Sequence, residues 1–112
     1  MNDCIFCKIV SGEIPSNKVY EDDQCLAFYD LDPQAPTHFL VIPKAHIESA
    51  RSINADNCQI VGHCYAVIAK IAQDMELESY RVVTNCGLQA GQSVFHLHFH
   101  VLAGRDMTWP PG

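Results

Sequence analysis

Basic residues are scarce in this chain. Seven Lys and Arg stand against thirteen Asp and Glu, a formal net charge of −6 over 112 residues. No basic field exists to meet a phosphate polymer, which excludes a general nucleic-acid binder but not a small phosphorylated ligand needing only a few local donors. The start of the sequence has neither a basic n-region nor a long apolar h-region, since Lys8 and Glu13 break up the apolar residues, so no secretory leader is expected. No apolar run approaches the length of a membrane span, so no membrane partner is expected. Low-complexity segments and internal repeats are missing, which rules out linker-like and solenoid organisation. The expectation is one globular domain over residues 1–112 in a cytoplasmic setting. In a reducing compartment its six cysteines are thiols or metal ligands, not a disulfide framework.

What is present reads as an α+β chain. Asp3 is positioned to cap a short helix over Cys4–Ser11, ended by Gly12 and Pro15. Lys18–Tyr20 and Cys25–Tyr29 read as strands joined by the polar turn 21–24. Pro33 and Pro36 make residues 32–36 a loop, Thr37–Ile42 is a strand stopped by Pro43, and a short helical turn is expected after His46. One long helix, capped by Asn54 or Asp56, carries Ile60, Val61, Cys64, Val67, Ile68, Ile71 and Met75 at helical spacing. Arg81–Asn85 and Val94–Leu102 are two further strands, and the short connections favour antiparallel pairing. His63 is expected on the helix surface.

Residues 95–102 alternate strictly, with His96, His98 and His100 on one parity and Leu97, Phe99 and Val101 on the other. On a strand the imidazoles share one face, looking into a cleft, and the apolar residues face the core. Two chemistries suit such a face. The three rings could converge on one metal ion, or one could act as nucleophile, which neutral imidazole can do near pH 7. The preceding segment, Gly87 to Ser93, holds two glycines and a terminal hydroxyl, and turn amides of this kind bind anions. A phosphate loop beside an imidazole points to phosphoryl or nucleotidyl transfer. Cys4 and Cys7 have the spacing of half a tetrahedral metal site, with His46 and His96 the best candidates for the other half. Cys25 and Cys64 fit core positions.

The run Gly-Gln-Ser-Val-Phe-His-Leu-His-Phe-His-Val-Leu at 91–102 resembles the signature of the histidine triad (HIT) superfamily. The likeness extends to residues 3–15, similar to the family's N-terminal zinc-knuckle segment, and to residues 30–44, similar to its nucleoside-binding hairpin. Residues 105–112, ending Trp-Pro-Pro-Gly, resemble the tail of the Hint branch of nucleoside phosphoramidases.

The resemblance implies a HIT fold: an antiparallel sheet with one long helix and a short N-terminal helix, continued across a homodimer. It implies a purine nucleotide substrate, an AMP or GMP conjugate, cleaved through a nucleotidyl-histidine. Phe28, Asp30 and Leu31 would hold base and ribose, and Asn85, Gly91, Gln92, Ser93 and Val94 would surround the phosphate and leaving group. His98 would be the nucleophile, with His100 and Ser93 assisting at the phosphate. A structural Zn²⁺ would sit on Cys4, Cys7, His46 and His96, with no catalytic metal or organic cofactor. His38 would hydrogen-bond near the triad. The alternatives are a dinucleoside polyphosphate or acyl-adenylate hydrolase, a nucleotide-binding interaction module with little turnover, and a metalloenzyme using all three triad histidines as ligands.

Overall fold

The computed structural model describes residues 3–112. The elements run α1 (Ile5–Ser11), β1 (Lys18–Glu21), β2 (Cys25–Tyr29), β3 (Thr37–Pro43), a 3-10 turn (Ala50–Ser52), α2 (Cys58–Asp74), β4 (Arg81–Val83) and β5 (Phe99–Ala103). The five strands form one antiparallel sheet in the order β1-β2-β3-β5-β4.

Alternation along the central strands divides the sheet into two faces. Cys25 and Ala27 of β2, Phe39 and Val41 of β3, and Phe99 and Val101 of β5 pack on Cys64, Val67, Ile68 and Ile71 of α2. The opposite parity, Leu26, Phe28, Leu40 and Ile42, packs on Phe6 and Ile9 of α1. The heart of the sheet is therefore covered on both sides, which is why β2 and β3 read as continuous apolar runs. No described helix is long and apolar enough to cross a membrane.

Several boundaries differ from the sequence expectation. Cys4, not Asp3, caps α1: its Sγ accepts from the Cys7 N–H at 3.3 Å. Asn54 and Asp56 do not cap α2, whose N-cap position is Asn57, and its side chain bonds back to Asn54 and Ser52 and not into the helix. Asn54 instead anchors the turn before it, its Oδ1 accepting from the amides of Asp56 (2.8 Å) and Asn57 (3.1 Å).

Both C-terminal strands are shorter than the alternation suggested. β4 ends at Val83, and Thr84 turns its hydroxyl onto the His98 carbonyl at 2.8 Å. β5 begins at Phe99, so His96 lies in a bend, His98 just ahead of the strand, and only His100 in the ladder. The β3–β5 pairing ends at Val41 opposite Phe99, although β3 runs on to Pro43, and the stretch before Phe99 finds other partners: the Leu97 amide donates to Ile47 O. The parity survives this loss. Leu97, Phe99 and Val101 are buried on the α2 side, as expected of the apolar set.

Candidate functional site

A cavity of about 290 Å³ opens between α1 and the α1-facing side of the sheet. Ile5, Phe6, Ile9, Phe28 and Leu40 make it apolar, while Asp30, Ser93, His98 and His100 bring polar groups to it. Such a shape, apolar with a few convergent polar groups, suits a flat ring joined to a charged group. Leu31 reaches the rim with its side chain in solvent.

His98 and His100 line this cavity with His96 buried beside them, and hydrogen bonds assign a tautomer to each ring. A carbonyl only accepts, so a ring nitrogen facing one must carry the proton. His98 donates from Nδ1 to the His96 carbonyl at 2.7 Å, leaving the lone pair on Nε2. His96 donates from Nε2 to Pro43 O at 2.8 Å, so its bare Nδ1 points the other way. For His100 the assignment passes through His38. The Gln34 amide donates to His38 Nδ1 at 3.0 Å, so His38 carries its proton on Nε2, 2.9 Å from His100 Nδ1. His100 is thereby left with a donor at Nε2.

Burial pushes the pKa of His100 down to about 4, the nearby His98 and His38 lowering it further against the pull of Asp30. His38 is also lowered by burial, more than Asp30 and Asp32 raise it. Both rings are neutral at pH 7, and the His38 Nε2 proton goes to His100, so the 3.4 Å approach of His38 Nε2 to the Asp30 carboxylate is a polar contact and not an ion pair.

His96 Nδ1 faces a second cluster. It lies 3.3 Å from Cys4 Sγ, 3.5 Å from Cys7 Sγ and 3.3 Å from His46 Nδ1, and His46 Nδ1 is 3.3 Å from Cys7 Sγ. Zinc-type bond lengths of about 2.0–2.3 Å imply tetrahedral edges of roughly 3.3–3.8 Å, which these separations match. All four donors lie within 4.8 Å of one another. The residues therefore fit a closed tetrahedral metal site. The alternative with His96, His98 and His100 on one ion does not fit, because His96 spends both ring nitrogens elsewhere and no metal-competent cluster among the described residues includes His98.

Of the residues expected around a nucleotide, Phe28, Asp30, Leu31, Ser93, Val94, His98 and His100 line the cavity; Asn85, Gly91 and Gln92 do not. Gln92 is buried and braces the loop from inside: Oε1 accepts from Gly87 N–H, and Nε2 donates to the carbonyls of Glu48 and Val94. Its amide is thus occupied by backbone and not available to a phosphate. Residues that sequence reasoning missed are Ile5, Phe6 and Ile9, whose spacing on one face of α1 was the available signal, and Thr84, for which there was none. His63 lies on α2 but is half-buried, 2.7 Å from Asp22, and ties the helix to the β1–β2 turn.

The family model described as "Scavenger mRNA decapping enzyme C-term binding" matches residues 3–109. A HIT-like protein of Synechococcus elongatus is 50% identical over 98% of this chain and 97% of its own length. The chain belongs to the HIT superfamily. The crystal structure of a HIT family hydrolase from Legionella pneumophila superposes with a TM-score of 0.96 at 47% identity, covering 98% of this chain and all of that one. A histidine triad protein from Clostridium difficile gives 0.92 at 52% identity, with 96% of each chain covered. The five-stranded sheet with its two helices is thus the HIT fold.

Proposed function

We propose that this HIT protein hydrolyses purine nucleoside 5′-phosphoramidates through a nucleotidyl-histidine on His98, in the manner of the Hint branch. One observation carries the reading: the His98 Nδ1–H is committed to the His96 carbonyl, so a bare Nε2 stands at the polar end of a nucleoside-sized apolar cavity. Phe28 and the α1 residues flank the base, and Asp30 accepts from the ribose. His98 Nε2 attacks the α-phosphorus and the P–N bond breaks. Its electron pair goes to the amine nitrogen, which takes a proton from water at the exposed Ser93 end. Water then attacks the same phosphorus, the P–Nε2 bond breaks, and the nucleoside monophosphate leaves. His100 Nε2–H and the Ser93 hydroxyl stabilise the charge on the phosphoryl oxygens.

The leaving-group side supports an amine over a polyphosphate. A second cavity shares Ser93 and Val94 with the first, and it is lined by the Asp3 and Glu48 carboxylates and by Phe95 without a lysine or arginine. Zinc on Cys4, Cys7, His46 and His96 would supply structure and no reacting atom. Reduced thiols at Cys4 and Cys7 accord with a cytoplasmic setting. The reading includes a homodimer, for which the three-residue edge strand β4 offers unpaired backbone groups.

The test is hydrolysis of a panel: an adenosine and a guanosine phosphoramidate, a dinucleoside polyphosphate and an acyl-adenylate. Preference for the phosphoramidates is expected, together with covalent label on His98 and a loss of about 10⁴-fold or more in His98→Ala. Near-normal turnover by His98→Ala would sink the mechanism, and preference for the polyphosphate would replace the substrate class.

A further inference from the structure

His96 acts in two places at once. Its ring turns Nδ1 into the Cys4, Cys7 and His46 cluster, while its main-chain carbonyl receives the Nδ1–H of His98 at 2.7 Å. The ring's other nitrogen is anchored on the Pro43 carbonyl. A second connection runs through Phe6, which stands between the two cysteines in the chain. The Phe6 ring meets His98 edge-on, with centroids 5.1 Å apart at 87°, and also packs on His96 at 6.0 Å. Two restraints on the His98 ring therefore begin at metal-competent residues.

We propose that the Cys4/Cys7/His46/His96 cluster is a positioning element for the nucleophile: a metal ion held there keeps His98 in one tautomer and one direction, so metal occupancy sets the rate of nucleotidyl transfer. The inference rests on the reading of His98 as nucleophile. Its physical basis is the weakness of what remains without an ion. A seven-residue helix has little stability of its own. Once α1 is no longer clamped through its cysteines, Phe6 releases the ring and the His96 backbone loses one of its ties. A displacement of about 1 Å at a reacting group can cost on the order of 10²-fold in rate. Nucleotide affinity suffers less than the rate: Ile5, Phe6 and Ile9 of α1 loosen on one side of the base, but Phe28, Asp30 and Leu40 on β2, its following turn and β3 remain in place.

The decisive variant is His46→Ala, which removes a cluster residue that borders the second cavity and not the nucleotide cavity; His46→Cys restores a metal donor there, so a loss that came from the second cavity alone would not be recovered with the metal. Four quantities are measured on each: bound zinc, AMP affinity, the single-turnover rate of His98 labelling by an adenosine phosphoramidate of a small amine, and the His98 tautomer from long-range ¹⁵N–¹H spectra. For His46→Ala we expect loss of zinc, a mixture of His98 tautomers, and labelling slowed about 30-fold or more against a change in AMP affinity below about fivefold. His46→Cys recovers all of these. Stripping the wild-type protein with a chelator and restoring zinc gives the same comparison without a substitution.

Metal-free protein that keeps a single Nδ1–H tautomer and labels at the wild-type rate overturns the proposal. Equal losses of rate and affinity overturn it as well, since they report a collapsed pocket. If wild-type protein never labels His98, the hydrolase reading fails and this proposal falls with it; a zinc-dependent tautomer would then describe a coupling without that chemistry.

Discussion

The Nε2 of His38 lies 2.9 Å from the Nδ1 of His100, and this bond makes His100 a donor on its cavity side. His38 is in turn held by the Gln34 amide, so a loop residue determines the protonation pattern of a buried ring. On the proposed reading His38 acts through His100 as a positioning residue. Replacing it by alanine removes about 1–1.5 kcal/mol of orientation, equivalent to roughly tenfold in kcat. The glutamine variant places an amide N–H near the position of Nε2 and is expected to recover most of that loss. Steady-state kinetics of the two variants check this, with KM moving less than kcat.

Gln92 is 2% exposed, and its side chain makes three hydrogen bonds to loop backbone. Gln92→Leu leaves the Gly87 amide and the carbonyls of Glu48 and Val94 without those partners. A loss of about 3 kcal/mol in urea denaturation is expected, accompanied by faster proteolysis within residues 87–94. An unchanged midpoint would contradict the bracing role.

The triad was legible because alternation survives where strand pairing does not. His96 and His98 leave the ladder, yet Leu97 still enters the core and both imidazoles stay on the other side. The metal-competent cluster was legible for a different reason: two cysteines three apart need two more donors to complete a tetrahedral site, and few histidines were available. The inward turn of the Gln92 side chain was not legible, because glutamine in a glycine-containing loop has the same sequence pattern whether its amide faces a ligand or the loop itself. The cap of α1 was misassigned because Asp3 is the usual residue type, while a thiol takes that place only where the cysteine must also face the cluster. Thr84 left no trace, since its bond to the His98 carbonyl spans fourteen residues and depends on where β4 stops.

Stability should fall as the solution is acidified below neutrality. Unfolded, the His100 imidazole takes up its proton near pH 6.5; folded, it resists until about pH 4. Between those values the unfolded chain binds more protons, so acidification favours unfolding, by about 2 kcal/mol at pH 5 from this group. Burial of His38 acts in the same direction. Glu21, held down to about 2 by Lys18 and Lys44, loses its contribution only below about pH 4.5, so the higher window isolates the histidines. Urea midpoints between pH 7 and 5 measure the effect, and His100→Gln should flatten it.

Gly104 has a φ of 97°, and a Cβ built there would lie 2.9 Å from the Pro36 Cβ. Gly104→Ala therefore combines backbone strain with a close contact to a stiff ring, and a loss of about 2 kcal/mol is expected. Pro36 belongs to the loop that carries Gln34, whose carbonyl is also held by Arg105 Nε at 3.0 Å. Activity measured well below the melting temperature should fall too, because a shifted loop releases His38.

The two-faced alternation through β2, β3 and β5 also limits how this chain can change length. Inserting or deleting one residue before His98 would exchange the parity of everything as far as the next turn. Imidazoles would then enter the α2 core, and Leu97 and Phe99 would face the substrate. Natural or engineered variation in length is consequently confined to the connections, such as residues 22–24 or 53–57, where an added residue reverses no strand.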